Sequence, residues 1–353
     1  MNLYVHFPFC RSRCAYCALL SRAGTSPAAR AAHVDRVVRE VGALADAPRT
    51  VYFGGGTPAL CALAPVFAAL RRKGPAPAEF TVELHPADAT PGTLDALRRG
   101  GVNRISLGVQ SFDDAALAAM GRGHSADEAE AAFRRIRAVF PNAGLDLIAG
   151  WPGTSDASWR ATVDRALSLA PVHVSCYSLI HEPKTRLDLA VRKGEVVLPD
   201  DDAALAQVAL ARDAFAAAGL VRYEVSNYAR PGFACRHNQA VWRGEDYVGV
   251  GEGAHGRVAL ARTVGTRGGY DTATVTPEED ALERALLGLR TADGLDLADI
   301  SRRWPLLAPR IPAWRDRLAA LVPPGILASP SADRFVPTDR GFEVVDAVLA
   351  ELL

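Results

Sequence analysis

Short apolar, β-branched runs alternate along this chain with longer segments whose apolar residues recur every three to four positions. The runs predict strands over residues 3–7, 50–53, 80–84, 104–109, 145–149, 173–179 and 222–226. The longer segments predict helices from about residue 28 to 45 and over 59–72, 91–99, 125–140, 156–169 and 200–218. Alternation of this kind implies a parallel sheet, and six or more units suit a barrel, open or closed, better than a dinucleotide-binding sheet. In such barrels functional side chains gather at strand C-termini and in the loops that follow. From about residue 227 to 269 the pattern changes to segments rich in Gly and Arg, which read as loops. Helices resume over 277–290, 297–303 and 311–321, followed by two short β-like runs (326–329 and 334–337) and a closing helix from Thr338. The expected division is a core barrel over 1–226, a loop region closing its pocket over 227–275, and a small helical domain over 276–353.

Composition narrows the function classes. Forty basic and forty acidic side chains cancel, so nothing drives the chain generally toward nucleic acid or acidic membrane. Apolar runs are broken by charges every few residues and none is long enough to span a bilayer. No signal peptide is expected, because a cysteine-rich loop occupies its place. The expected location is the cytoplasm, with membrane contact at most transient and no nucleic-acid partner.

The chemistry concentrates in Tyr4-Val-His-Phe-Pro-Phe-Cys10-Arg-Ser-Arg-Cys14-Ala-Tyr-Cys17. Three cysteines spaced C-x3-C-x2-C are one short of closing a metal site. A cubane iron–sulfur cluster has four irons, so three thiolates would leave one iron open to an external chelator. Structural zinc normally takes four protein ligands, often as paired C-x2-C knuckles, and no second knuckle follows. Incidental thiols are the remaining reading. Cys61 and Cys176 read as small buried hydrophobes.

Tyr4-x-His6-x-Pro8-Phe9-Cys10 with Cys14-x-Tyr16-Cys17 resembles the opening of the oxygen-independent coproporphyrinogen III oxidase-like radical S-adenosylmethionine proteins. Later stretches extend the resemblance over nearly the whole chain: Ser106–Phe112, Met120–His124, Asp146–Gly153 and Tyr223–Trp242. Within that superfamily the chain is most similar to the HemW-type haem chaperones, through Cys235-Arg-His237-Asn238-Gln-Ala-Val241-Trp242. The resemblance implies an α/β fold, a partial (β/α)6 TIM-like barrel of the radical SAM type with a small C-terminal winged-helix-like α+β domain.

It also implies roles. Cys10, Cys14 and Cys17 would hold a 4Fe–4S cluster, with S-adenosylmethionine on the open iron. Tyr4, Gly55, Gly56, Thr57, Glu83, Gln110, Arg122 and Asp146 match positions that bind S-adenosylmethionine. Gly54-Gly55-Gly56-Thr57-Pro58 is a weak signal alone, a plain tight turn as readily as a ligand cradle. Glycines admit a ligand close to the backbone, and free N–H groups there can meet a carboxylate. The plainer alternatives are a surface salt bridge for Glu83, a helix-surface guanidinium for Arg122 and a local cap or pair for Asp146. His237 is the candidate haem ligand, with a pocket hydrogen bond as its plainer role, and His255 is the second choice. His85, where the family usually has Asn, is not read as a metal ligand.

The main expectation is a haem chaperone that receives haem and passes it to an unknown acceptor protein. Cluster and S-adenosylmethionine would tune or gate transfer, and the electron donor is unknown. The alternative is an oxygen-independent coproporphyrinogen III dehydrogenase, performing radical oxidative decarboxylation in porphyrin biosynthesis. True dehydrogenases carry a further cysteine two residues after the third, where this chain has Leu19, which argues against that activity. The chaperone branch usually has Asp-Phe where Ala18-Leu19 stands, and Tyr where Val241 stands. A cluster-based redox sensor is a third reading.

Overall fold

In the computed structural model, residues 1–352 are described. Six strands lie side by side in chain order and parallel: β1 (Asn2–Phe7), β2 (Thr50–Gly55), β3 (Glu79–Leu84), β4 (Arg104–Gln110), β5 (Ala143–Ala149) and β6 (His173–Ser178). Their crossovers carry α1 (Pro27–Ala43), α2 (Ala64–Lys73), α3 (Pro91–Arg99), α4 (Asp114–Met120), α5 (Ala126–Val139), α6 (Asp156–Ser168), α7 (Arg186–Arg192) and α8 (Asp201–Ala217). Side-chain caps fix helix starts, as in the Ser125/Glu128 capping box of α5.

Sheet register explains where the site must lie. Leu3, Val5, Phe53, Val82, Leu107, Leu145 and Val174 take one set of alternate positions and join the main apolar core. The other set is polar and aligned across strands. Tyr4 stands beside Tyr52, Tyr52 beside Thr81, Glu83 beside Ser106, and Asp146 beside Ser175. A parallel sheet covered by helices on both faces would be apolar on both. Here one face packs against helices and the other lines a polar lumen.

The stretch expected as loops over 227–269 is largely regular structure. After the short antiparallel pair β7 (Val221–Arg222) and β8 (Asn227–Ala229) come α9 (Arg236–Trp242), β9 (Tyr247–Val250), β10 (His255–Val258), β11 (Ala261–Gly265) and β12 (Tyr270–Thr274). β9 pairs in parallel with the free side of β1, making a seventh parallel strand. β10, β11 and β12 extend the sheet antiparallel beyond it. The glycines permit close backbone crossing here. A Cβ on Gly249 would meet the His255 carbonyl, and one on Gly265 would meet that of Gly251. The sheet runs β12-β11-β10-β9-β1-β2-β3-β4-β5-β6-β8-β7 without closing. The run expected as a strand over 222–226 is instead a break between β7 and β8.

The C-terminal part packs α10 (Pro277–Leu286), α11 (Leu297–Arg303) and α12 (Ile311–Ala320) on a small antiparallel sheet. That sheet comprises β13 (Leu295–Asp296), β14 (Leu327–Ser331) and β15 (Arg334–Pro337), and α13 (Asp339–Glu343) and α14 (Val345–Leu352) follow it. Its own apolar core includes Leu289, Leu297, Trp314, Leu318 and Phe335. Backbone hydrogen bonds tie it to the barrel, Val225 N–H to Arg290 O at 3.1 Å and Ala292 N–H to Tyr223 O at 3.0 Å.

Candidate cofactor site

A cavity of about 600 Å³ opens at the C-terminal ends of the strands. Cys10, Cys14 and Cys17 line it together with Gly55, Gly56, Thr57, Glu83, Gln110, Arg122 and Asp146. The structure thus brings ten of the twelve candidate residues onto one wall system. Among the described residues no three His, Cys, Asp or Glu side chains converge on a single ion. Cluster cysteines each take a different iron and need no such convergence. All three thiols are half-buried and free. Burial is the main cause that pushes Cys10 and Cys17 up, and the neighbouring thiols add to it. Coordination to a metal would remove those protons.

The glycine run behaves differently from expectation. Its N–H groups already have protein partners: Gly55 N–H donates to Glu83 Oε2 at 3.2 Å, Gly56 N–H to Phe7 O at 2.8 Å and Thr57 N–H to Phe9 O at 2.6 Å. None of the three is left to meet a ligand's carboxylate, the one carboxylate engaged being that of Glu83. The glycines serve packing instead. A Cβ on Gly56 would lie 2.5 Å from Phe9 O, and one on Gly55, at φ +101°, would enter the His6 ring. The turn holds the start of the cysteine loop against β2.

Two carboxylates face the cavity from the lumen side. Glu83 accepts from Tyr52 Oη at 2.8 Å. Burial holds its carboxyl up to about 7, with Asp146 adding to the rise and the Tyr52 hydroxyl opposing it. Asp146 accepts from Ser106 Oγ at 2.9 Å and is also raised by burial. Opposite them, Arg122 donates to the Gly108 carbonyl and, at 3.4 Å, to Cys14 Sγ, while its buried Nε has no partner. Gln110 closes β4 with φ +75°, a left-handed conformation unusual for a side-chain-bearing residue, at a break in register with β5. Leu19 is 54% exposed beside the cavity mouth, near Tyr177 and Ile180.

Tyr4 does not reach the cavity. It stands deeper in the lumen row beside Tyr52, its hydroxyl bonded to His6 Nδ1 at 3.0 Å, while His6 Nε2 donates to Leu20 O at 2.9 Å. His85 lines the cavity yet has both nitrogens engaged. Ala87 N–H donates to Nδ1 at 3.2 Å, so Nε2 carries the proton and donates to His124 Nδ1 at 3.3 Å; His124 Nε2 then donates to Val109 O.

His237 lies at the opposite, N-terminal end of the strands, on the first turn of α9. It is 5% exposed, and burial lowers it to about 4. Thr50 Oγ1 donates to Asn2 Oδ1 at 2.9 Å, so it accepts from His237 Nδ1 at 3.0 Å. That fixes the tautomer and leaves the lone pair on Nε2. Cys235 is fully buried, its thiol donating to Glu79 at 3.3 Å. His255 is exposed at the start of β10. Sequence reading missed Tyr52, Ser106 and Ser175; their signal was alternation, since each occupies an inward position of its strand.

The family model "Radical SAM superfamily" matches residues 4–166. "Heme chaperone HemW" of Mycobacterium tuberculosis (strain CDC 1551 / Oshkosh) is 36% identical, over 100% of this chain and 94% of its own length. This chain belongs to the HemW family. "Heme chaperone HemW" of Escherichia coli K12 is also 36% identical, over 76% of this chain and 74% of its own. The mouse "Radical S-adenosyl methionine domain-containing protein 1, mitochondrial" is 35% identical, over 81% and 67%. The solved coproporphyrinogen III oxidase (HemN) of Escherichia coli superposes with a TM-score of 0.84 at 22% identity, over 99% of this chain and 89% of its own. That likeness establishes the shared partial-barrel fold alone. No helix among the described residues is long and apolar enough to cross a membrane.

Proposed function

We propose that this HemW-family chain is a haem chaperone, binding haem and passing it to an acceptor protein, and that its cavity holds a 4Fe–4S cluster with S-adenosylmethionine. The observation that carries the reading is full-length likeness to chains named haem chaperones, joined to a cavity whose residues suit the cofactors. Cys10, Cys14 and Cys17 would supply the three cluster thiolates. The cavity-lining carboxylates of Glu83 and Asp146 suit ribose hydroxyl groups and, once ionised, ammonium and sulfonium, and the unpartnered Arg122 Nε offers one more donor. When bound, the pair of cofactors supplies one-electron chemistry. The chain's own residues orient the ligand and shield it from water, and Gln110 and Arg122 restrict its position.

His237 is the proposed haem-iron ligand, since its Nδ1–H bond to Thr50 leaves Nε2 the lone pair an iron takes. The ring is buried against Tyr52, so ligation requires α9 to shift. His255, exposed, is the comparison residue.

The test is transfer. Protein loaded with haem is mixed with an acceptor haemoprotein stripped of its haem, and acceptor absorbance and activity are followed. Recovery that needs the haem-loaded chain supports the reading, and His237→Ala is expected to lose bound haem while His255→Ala keeps it. Conversion of coproporphyrinogen III to a divinyl porphyrin by the cluster-reconstituted protein would replace it with the dehydrogenase reading.

A further inference from the structure

Tyr52 spans the barrel lumen between the two regions already described. Its hydroxyl donates to Glu83 Oε1 at 2.8 Å, and its ring lies 5.3 Å from the His237 ring and 6.1 Å from that of Tyr4. It stands in the inward row of β2, two residues before Gly54. A Cβ on Gly54 would press on Glu83 Oε2 at 3.0 Å and on the Tyr52 ring at 3.1 Å. The Glu83 carboxylate is therefore held on three sides: by the phenol on one oxygen, by Gly55 N–H on the other, and by the bare Gly54 backbone beneath. No other protein hydrogen bond reaches it among the described residues.

We infer that Tyr52 is a positioning residue for S-adenosylmethionine, acting through Glu83: its hydroxyl fixes the carboxylate's rotamer and favours its ionised, ligand-accepting form. The inference rests on the reading that S-adenosylmethionine binds in this cavity. The same side chain makes α9 a neighbour of the cofactor site, because movement of His237 frees the ring that aims the phenol.

The charged and titratable groups around Glu83 set the direction of the effect. Asp146 on β5 opposes its ionisation, Arg104 on β4 favours it, and the phenols of Tyr4 and Tyr177 lie close enough to feel its charge. The Tyr52 and Gly55 donors are the hydrogen bonds that favour the charged form. An ionised carboxylate is the stronger acceptor for the ammonium or hydroxyl groups of a ligand, and only that form attracts the ammonium charge. Removing the phenolic hydroxyl therefore moves the acid limb of ligand binding to higher pH.

The experiment measures S-adenosylmethionine binding to cluster-reconstituted full-length protein by anaerobic calorimetry, from pH 6 to pH 9. Unsubstituted protein, Tyr52→Phe, Glu83→Gln and the double variant are compared. The ligand's own amino group titrates identically in all four. Tyr52→Phe is expected to bind roughly five- to tenfold more weakly at pH 7 and within about twofold of unsubstituted protein at pH 9, the signature of an acid limb raised by about one unit. In the Glu83→Gln background the same change is expected to have no further effect. A Tyr52→Phe loss of equal size at every pH, or one that persists in the Glu83→Gln background, overturns the inference in favour of plain packing. Normal binding by Tyr52→Phe also overturns it. Absence of binding by the unsubstituted protein sinks both the inference and the reading beneath it.

Discussion

The Glu79 side chain accepts the backbone N–H of His237 at 3.0 Å, joining the first residue of β3 to the first turn of a helix 158 positions later. Its other oxygen takes the N–H of Arg236 at 2.9 Å. Helix starts leave N–H groups without partners, and local Ser, Thr, Asp or Asn usually caps them. Cys235 gives no side-chain cap, so a carboxylate from across the sheet does that work. Glu79→Gln keeps size but exchanges one acceptor for a donor. It is expected to lower unfolding free energy by about 1–3 kcal/mol, measured by urea denaturation, and to loosen α9 in amide exchange. An unchanged midpoint would mean that water caps the helix equally well.

Acid should weaken the fold through its neutral histidines. Burial, reinforced by nearby arginines, lowers His85 to about 3 and His124 and His237 to about 4. A histidine kept neutral in the fold binds its proton only on unfolding. Its contribution is present above about pH 6.5 and is lost as pH falls from there toward the folded value. Glu83, raised to about 7, has the opposite sign, losing its contribution as pH rises from about 4.5 to 7. Each histidine adds a slope of up to about 1.4 kcal/mol per pH unit. His237→Gln is expected to flatten the stability profile between pH 6.5 and 4 by up to that amount. Denaturant titrations at pH 4.5, 5.5 and 6.5 measure it; parallel profiles would refute the assignment.

The glycine turn makes a steric prediction. Gly56→Ala places a Cβ 2.5 Å from one backbone carbonyl and 2.8 Å from another, neither able to swing aside. The cost is expected to exceed about 2 kcal/mol, as for other overpacked sites. Gly92→Ala, with nothing within 4 Å and inside α3, is the control and should gain a few tenths of a kcal/mol or more. Thermal melts of the apo-protein separate the two without reference to cofactor.

Iron content divides the six cysteines. Replacing Cys10, Cys14 or Cys17 by Ala is expected to abolish stable cluster loading, read as iron and sulfide per chain. Cys61, Cys176 and Cys235 are buried away from the loop. Their Ala variants should load normally while losing about 1–2 kcal/mol of stability, more at Cys235, whose thiol donates to Glu79. Full loading by a Cys14 variant would remove Cys14 from the ligand set, and failure of the unsubstituted protein to take up iron and sulfide would return the loop to the zinc or incidental-thiol readings.

The cysteine loop and the six parallel strands were readable because each signal is local, whereas Glu83 and Asp146 entered through the family resemblance, with a salt bridge and a local cap left open beside it. A strand's alternation, or three thiols within eight residues, needs no partner to be recognised. What escaped depends on distant contacts. The glycines of β9 and β11 read as loop formers, yet they admit crossing backbones that only the assembled sheet brings together. The N–H groups of Gly56 and Thr57 looked free because their acceptors, Phe7 O and Phe9 O, belong to another strand. His237 looked like a loop imidazole because neither Thr50 nor Glu79 is near it in sequence. Tyr52 was missed, because its connection between His237 and Glu83 exists only with both rings and the carboxylate in place.

The seventh parallel strand has a consequence for how the chain is made. β1, which leads directly into the cysteine loop, is flanked by β2 on one side and by β9 on the other. A nascent chain therefore presents the strand that leads into its cysteine loop with one edge bare until residues 247–250 have been synthesised. Such contacts, distant in sequence, form late and slowly. The thiols are thus held on an incomplete platform for most of translation, and the strand that leads into them gains its second neighbour only with the emergence of β9.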